Sequence, residues 1–243
     1  MSANICITGA NGRMGVAIAE AAIEAGHNVT GKVDIGDNLK SALEKSDVVI
    51  DFTFHTATEE IFRTAVELGK PIICGTTGHS SEEKARLIEL AKQTPTVWAG
   101  NFSVGVNLLC YLTEKAASIL PPSYNAEIIE MHHRLKKDAP SGTALMLADS
   151  VLGPRDLNYD DLRHGREGIP GERTEREVGM HSLRGGDVVG DHTVLFSDIG
   201  ERIELTHKAS SRAVFARGAV RAAAWAIGKE PGLYGIREVL GLD

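Results

Sequence analysis

The sequence predicts an α/β protein: a doubly wound parallel sheet in an N-terminal domain, followed by a second, α+β domain carrying a mixed sheet. Three observations lead there. Short β-type runs alternate with amphipathic helical segments over residues 1–100. A glycine-rich turn, Gly9-Ala10-Asn11-Gly12-Arg13-Met14-Gly15, joins the first run to its helix. Beyond residue 104 the alternation gives way to strand-like segments separated by glycine turns.

In chain order, Asn4-Ile5-Cys6-Ile7-Thr8 is a short apolar β-type run, and Met14, Ala17, Ile18, Ala21, Ala22 and Ala25 then form the apolar face of a helix. Gly26 ends that helix. A strand over 28–33 closes at Asp34, and a short helix over 38–45 follows. Asp47-Val48-Val49-Ile50-Asp51-Phe52 is a continuous apolar run, typical of a strand buried on both faces of a parallel sheet. The alternation continues with a helix over 57–68, a strand over 71–74, a helix opened by the capping box Ser80 and Glu83, and a strand over 96–99.

The second region starts with a long apolar helix over 104–120, stopped by Pro121-Pro122. A strand over 125–132 and a helix over 142–152 follow. Residues 153–175, charged and rich in Gly and Pro, read as a surface loop. Strand-like segments from 176 to 208 are separated by Gly185-Gly186, Gly190-Asp191 and Ile199-Gly200. An Ala-rich helix over 212–228 precedes a short terminal segment introduced by Pro231-Gly232. The expected domains are 1–103, with 213–243 returning to it, and 104–212.

Composition narrows the function. The 243 residues carry a formal net charge of −7 and only 5% aromatics, so neither an overall basic field nor a stacking surface favours nucleic acid, and none is expected as a partner. No apolar stretch approaches the ~18 residues that span a bilayer, and the N-terminus has no signal-peptide pattern, so the expected location is cytoplasmic and no membrane partner is expected. Cys6, Cys74 and Cys110 lack C-x-x-C spacing and read as reduced core residues.

A strand, a glycine turn and a helix in succession suit a diphosphate. The chain turns sharply without Cβ atoms, and the helix N-terminus offers free N–H groups and a positive dipole end. The spacing is GxxGxxG, and Asp34 ends the next strand, as in a Rossmann-type dinucleotide site. Asp34 is placed to accept hydrogen bonds from ribose hydroxyls and to repel a 2′-phosphate, with Lys32 and Arg13 near enough in sequence to soften that preference. Gly75-Thr76-Thr77 and Gly100-Asn101-Phe102-Ser103 each follow a predicted strand, where the crevice of such sheets receives the nicotinamide half.

A second constellation runs from Glu130 to Ala144. His132 and His133 end a strand and point to opposite sides, and no Cys or acid stands at zinc-ligand spacing, so no metal is expected. Pro140-Ser141-Gly142-Thr143 reads as a helix entrance whose N–H groups suit a carboxylate. Lys136 adds charge or a proton, and a His exchanges protons near neutral pH.

The strings HHRLKKDAPSGTA, GANGRMG, IDFT, GTTG, NFSVGVN, GDHTVLFSDIGERIELTHKASSR and FARGAVRAA resemble the 4-hydroxy-tetrahydrodipicolinate reductase family over almost the whole chain. The resemblance implies NADH- or NADPH-dependent reduction of 4-hydroxy-tetrahydrodipicolinate to tetrahydrodipicolinate in diaminopimelate and lysine biosynthesis. It implies His132 as proton donor and acceptor, Lys136 as proton donor, and His133, Gly142 and Thr143 as substrate-binding positions. Gly9, Ala10, Asn11, Gly12, Arg13 and Met14, with Asp34, Gly75 to Thr77 and Gly100 to Ser103, match its cofactor segments. It also implies a homotetramer joined through the second domain's sheet and a dicarboxylate substrate. Where many members carry a basic residue after the strand-end acid, this chain has Ile35, and the stretch between Asp34 and Asp47 is short. NADH is therefore expected to be preferred or equal to NADPH. Two other readings of the residues are a dinucleotide-binding redox sensor and an oxidoreductase acting on another small carboxylated substrate.

Overall fold

The apolar runs of the first hundred residues become strands because successive side chains point to opposite faces and both faces are covered. The computed structural model describes residues 2–242. Its first elements are β1 (Asn4–Thr8), α1 (Arg13–Glu24), β2 (Asn28–Val33), α2 (Leu39–Glu44), β3 (Val48–Asp51), α3 (His55–Glu67), β4 (Ile72–Cys74), α4 (Ser81–Ala91) and β5 (Pro95–Trp98). Then come α5 (Val104–Ile119), β6 (Asn125–His132), α6 (Gly142–Leu152), a 3-10 turn (Tyr159–Asp161), β7 (Leu162–His164), β8 (Val178–Arg184), β9 (Gly190–Asp198) and β10 (Glu201–Ala209). The chain ends with α7 (Ala213–Ala226), β11 (Gly232–Tyr234) and α8 (Ile236–Leu240). It forms two compact units, one of residues through Val104 together with those from Arg212 onward, the other Gly105–Ser211.

The first unit holds a six-stranded parallel sheet in the order β11-β5-β4-β3-β1-β2. Ile5, Ile7, Val48 and Ile50 face one side, where they pack with Ile18 and Ala22 of α1 and Ala219 and Ala223 of α7. Cys6, Val49, Ile72 and Cys74 face the other, against Phe62 of α3 and Leu87 of α4. Each fully buried Ile contributes roughly 1.5–3 kcal/mol, which is why continuous apolar runs are needed here. The capping box is present: Ser80 accepts from Glu83 N–H, and the Glu83 carboxylate accepts from Ser80 N–H.

The second unit is built on a mixed sheet, ordered β10-β9-β6-β8-β7. β9 runs antiparallel to both β10 and β6, whereas β8 runs parallel to β6 and β7. Strict alternation along β6 buries Ala126, Ile128, Glu130 and His132, with Asn125, Glu127, Ile129 and Met131 half-buried on the other face. Ile128, Val194 and Phe196 form a core with Leu147 and Val151 of α6 and Leu109 of α5.

Two sequence expectations need correction. Gly190-Asp191 is not a break but the start of β9, paired with Ala209 and Lys208, because a long register on both sides overrides one glycine. Residues 153–175 are not loop throughout: they contain the 3-10 turn and the edge strand β7, and the segment after β7 is held down by charge. Arg166 makes a bidentate pair with Glu127, and Arg173 donates to Glu127, Asn125 and the Ala126 carbonyl. Burial pushes the Glu127 carboxyl up, but Arg166, His181 and Arg173 outweigh it and hold it at about 2. The terminal segment, expected to return to the first domain, supplies β11, whose Leu233 and Tyr234 pair with Thr96 and Val97 at the sheet edge. All three cysteines are buried and free. Among the described residues no helix is long and apolar enough to cross a membrane.

Candidate active site

In the first unit, the end of β1 and the start of α1 form a turn that only glycine fits. Gly9 has φ +71, and a Cβ there would stand 2.5 Å from the Phe52 carbonyl oxygen. A Cβ at Gly15 would stand 2.2 Å from the Gly9 carbonyl oxygen, so the helix begins hard against the turn. No side chain caps α1 at Gly12, unlike α4 at Ser80 and α6 at Ser141, so its first N–H groups are left for another acceptor. Gly12 and Arg13 are exposed, Met14 is half-buried and Ala10 is buried. These residues fit the diphosphate of a dinucleotide.

Asp34, two strands along the sheet order from β3, is brought to this turn: its Oδ2 accepts from Asn11 N–H at 2.7 Å. One carboxylate oxygen thus braces the glycine turn. Asp34 N–H in turn donates to Asp37 Oδ2 at 2.8 Å, which fixes the strand end. Ile35 beside it is fully exposed.

The loops after β4 and β5 also come together. Thr76, Thr77 and Gly100 line one cleft of about 470 Å³ with Gly78, Trp98 and Tyr234. Asn101 Oδ1 accepts from Ser103 N–H at 2.8 Å, while Phe102 is 1% exposed and its ring lies 5.7 Å from that of Phe52. Phe102 therefore serves the core through its side chain.

Beneath these loops sits a residue whose role sequence reasoning missed. Asp51, wholly buried at the end of β3, accepts from Thr8 Oγ (2.9 Å), Thr53 N–H (3.1 Å), Thr53 Oγ (2.7 Å) and Thr76 Oγ (2.9 Å). It ties the loop after β3 to the loop after β4. The Thr76 hydroxyl is thus engaged inside the protein, where it also accepts from Thr53 N–H.

In the second unit, β6 carries Glu130 and His132 on its buried face because residues two apart share a face of a strand. His132 Nδ1 lies 2.5 Å from Glu130 Oε2. Glu130, with no exposed surface, also accepts two bonds of 2.9 Å from the Arg184 guanidinium on β8 and one of 3.3 Å from Ser141 N–H. Burial pushes its carboxyl up, yet Arg184, His132 and Ser182 donate to it and hold it below the usual carboxylate range. Ser141 Oγ accepts from Ala144 N–H to cap α6 and meets His192 Nε2 at 3.1 Å. Burial, and then the neighbouring His132, push His192 down to about 4, so it is neutral near pH 7.

Lys136 is one-fifth exposed and pairs with both oxygens of Asp138, at 2.9 and 2.8 Å. That pairing holds the Asp138 carboxyl below its ordinary value. Gly142, the first residue of α6, is exposed, and nothing lies within 4 Å of where its Cβ would be. His133 is half-buried, with its Nδ1 buried and without a hydrogen-bond partner among the described residues. His132, Ser141 and α6 are thus assembled around Glu130. The sequence contained one signal for Glu130, the E-x-H spacing on a strand, but Arg184 and His192 arrive from strands far along the chain. Among the described residues no group of His, Cys, Asp and Glu is disposed to hold a metal ion.

Comparison with known proteins gives the family. The family model described as dihydrodipicolinate reductase, N-terminus, matches residues 3–102, and that of the C-terminus matches residues 105–240. The chain is 54% identical to the 4-hydroxy-tetrahydrodipicolinate reductase of Akkermansia muciniphila, over 99% of this chain and 98% of that one. It is 45% identical to that of Thiobacillus denitrificans, over 100% of both. Among solved structures, it is similar to the dipicolinate-bound dihydrodipicolinate reductase from Paenisporosarcina sp. TG-14, with a TM-score of 0.80, 25% identity, and coverage of 98% and 99%. With a Rossmann-type unit, a mixed-sheet unit and matches along nearly its whole length, the chain belongs to the dihydrodipicolinate reductase family of oxidoreductases.

Proposed function

We propose that this protein reduces 4-hydroxy-tetrahydrodipicolinate to tetrahydrodipicolinate with NADH or NADPH; its relatives are named 4-hydroxy-tetrahydrodipicolinate reductase. The observation that carries this reading is the buried pair of His132 and Glu130 bonded to the entrance of α6. A reduced nicotinamide supplies the hydride when bound. One proton is consumed and the substrate hydroxyl leaves as water, so the protein must exchange a proton and neutralise two carboxylates.

His132 is assigned the proton exchange. Lys136, His133 and the backbone of Gly142 and Thr143 are assigned the carboxylates, the last two because a helix entrance attracts anions. An ammonium has three N–H groups, so Lys136 can hold Asp138 and a substrate carboxylate together. Gly9 to Met14, Asp34, Gly75 to Thr77 and Gly100 to Ser103 are assigned to the cofactor. Adding freshly generated substrate and NADH and following the loss of nicotinamide absorbance tests the activity; no substrate-dependent loss with either cofactor refutes it.

Two predictions follow from particular residues. A hydrogen bond to a charged group is worth about 1.5–3 kcal/mol, so Lys136→Ala is expected to weaken substrate binding by about tenfold or more and to slow the reaction. Unchanged affinity would remove Lys136 from the carboxylate site. With Asp34 at the strand end and Ile35 in place of a base, kcat/KM with NADH is expected to equal or exceed that with NADPH in steady-state assays. A strong NADPH preference would overturn this role of Asp34. We also place the activity in the cytoplasm and propose a homotetramer joined through the mixed sheet, whose Ile129 and Met131 face is only half-buried within one chain. Light scattering of the purified protein tests the assembly.

A further inference from the structure

We infer that Glu130 is a positioning residue for the reduction: its buried carboxylate sets the tautomer of His132 and, through Ser141 N–H, anchors the entrance of α6. This rests on the proposed role of His132 in proton exchange. The carboxylate can only accept, so the 2.5 Å contact requires the proton on His132 Nδ1. Nε2 is then the atom left to exchange a proton. Gly190 keeps space at that atom, since a Cβ there would stand 3.0 Å from Nε2.

The same carboxylate accepts from Ser141 N–H, so the ring and the start of α6 share one anchor. Arg184 makes that anchor rigid and anionic. Its two bonds to Glu130 are supplemented by donations to the Asp138 and Leu183 carbonyls, which hold the guanidinium in one orientation. The other titratable groups around the ring come from every neighbouring element. His192 of β9 stands with its ring centroid 5.1 Å away, His207 of β10 acts on His192, and Lys136 of the following loop is paired with Asp138. Glu130 is thus the anion in direct contact with His132.

The anion accepts from His132 Nδ1–H, so it holds the ring in one tautomer and one orientation. In Glu130→Gln that support is lost. We expect kcat to fall about tenfold or more and NADH affinity to stay the same. Glu130→Asp, which keeps the charge and an acceptor-only group, is expected to recover part of the lost rate. In the wild-type protein, ¹⁵N NMR of the His132 ring is expected to show the Nδ1–H form.

Wild-type His132 protonated at Nε2 alone, or a Glu130→Gln enzyme with unchanged rate, would overturn the inference. The NMR result decides the matter even if the variant does not fold. His132→Gln, assayed in parallel, separates the two failures. If it has normal turnover, the role of His132 falls; if it is impaired while Glu130→Gln is not, only the positioning by Glu130 falls.

Discussion

Replacing His132 with Gln is expected to lower turnover by about 10²–10⁴-fold, the usual contribution of a positioned general acid or base. Gln is similar in length and keeps an amide to donate to Glu130 Oε2, so the anchor at the start of α6 is retained. What it lacks is a ring nitrogen that can give and take a proton. His132 is only 8% exposed, so solvent water is a poor substitute at this position. NADH affinity, assigned to the glycine turn and Asp34, should be untouched. The measurements are steady-state kcat and a titration of NADH fluorescence on the same variant. Unchanged turnover would exclude His132 from the chemistry, whereas a large loss of NADH affinity would mean that the substitution acts through the fold.

Asp51→Ala is expected to be the most damaging single change to the first unit, destabilising the protein by about 3 kcal/mol or more. The carboxylate is fully buried and accepts from three threonine hydroxyls and the Thr53 N–H. Each buried donor left without an acceptor costs roughly 1–3 kcal/mol, and only part of that is recovered by Thr8, Thr53 and Thr76 turning to one another. The cavity left by the carboxylate adds to the loss. For a protein of this size the melting temperature should fall by about 10 °C. The loops after β3 and β4 would lose their common anchor, so KM for NADH should rise along with the instability. A calorimetric scan and a cofactor titration check both parts, and a variant melting within a degree or two of the parent would show that Asp51 does not hold the loops.

The physical content of the two units is not equally legible in the sequence. In the first unit most signals are local. The helical spacing from Met14 to Ala25, the capping box at Ser80 and the apolar run at Val48 to Ile50 each involve neighbours within a turn or two, and their elements lie within a few residues of expectation. Gly9 and Gly15 declare themselves because a backbone that must pass at 2.2–2.5 Å from an added Cβ admits no other residue. By contrast, β11 has three residues and β7 three, too short for any period to register.

From the chain alone, then, come the two-domain α/β plan, the glycine turn and Asp34 proposed for the cofactor, and the segment holding His132, Lys136 and Ser141 to Thr143 proposed for the substrate. Only the folded molecule revealed that Asp51 ties two loops, that Lys136 is held by Asp138, and that Glu130 gathers His132, Ser141 and Arg184. The reason is range. Caps, turns and periodicity are set by groups a few bonds apart, whereas Glu130 and Arg184 meet across 54 residues through the pairing of β6 with β8. That pairing is selected by burial of the whole sheet, a property of many segments together and of none alone.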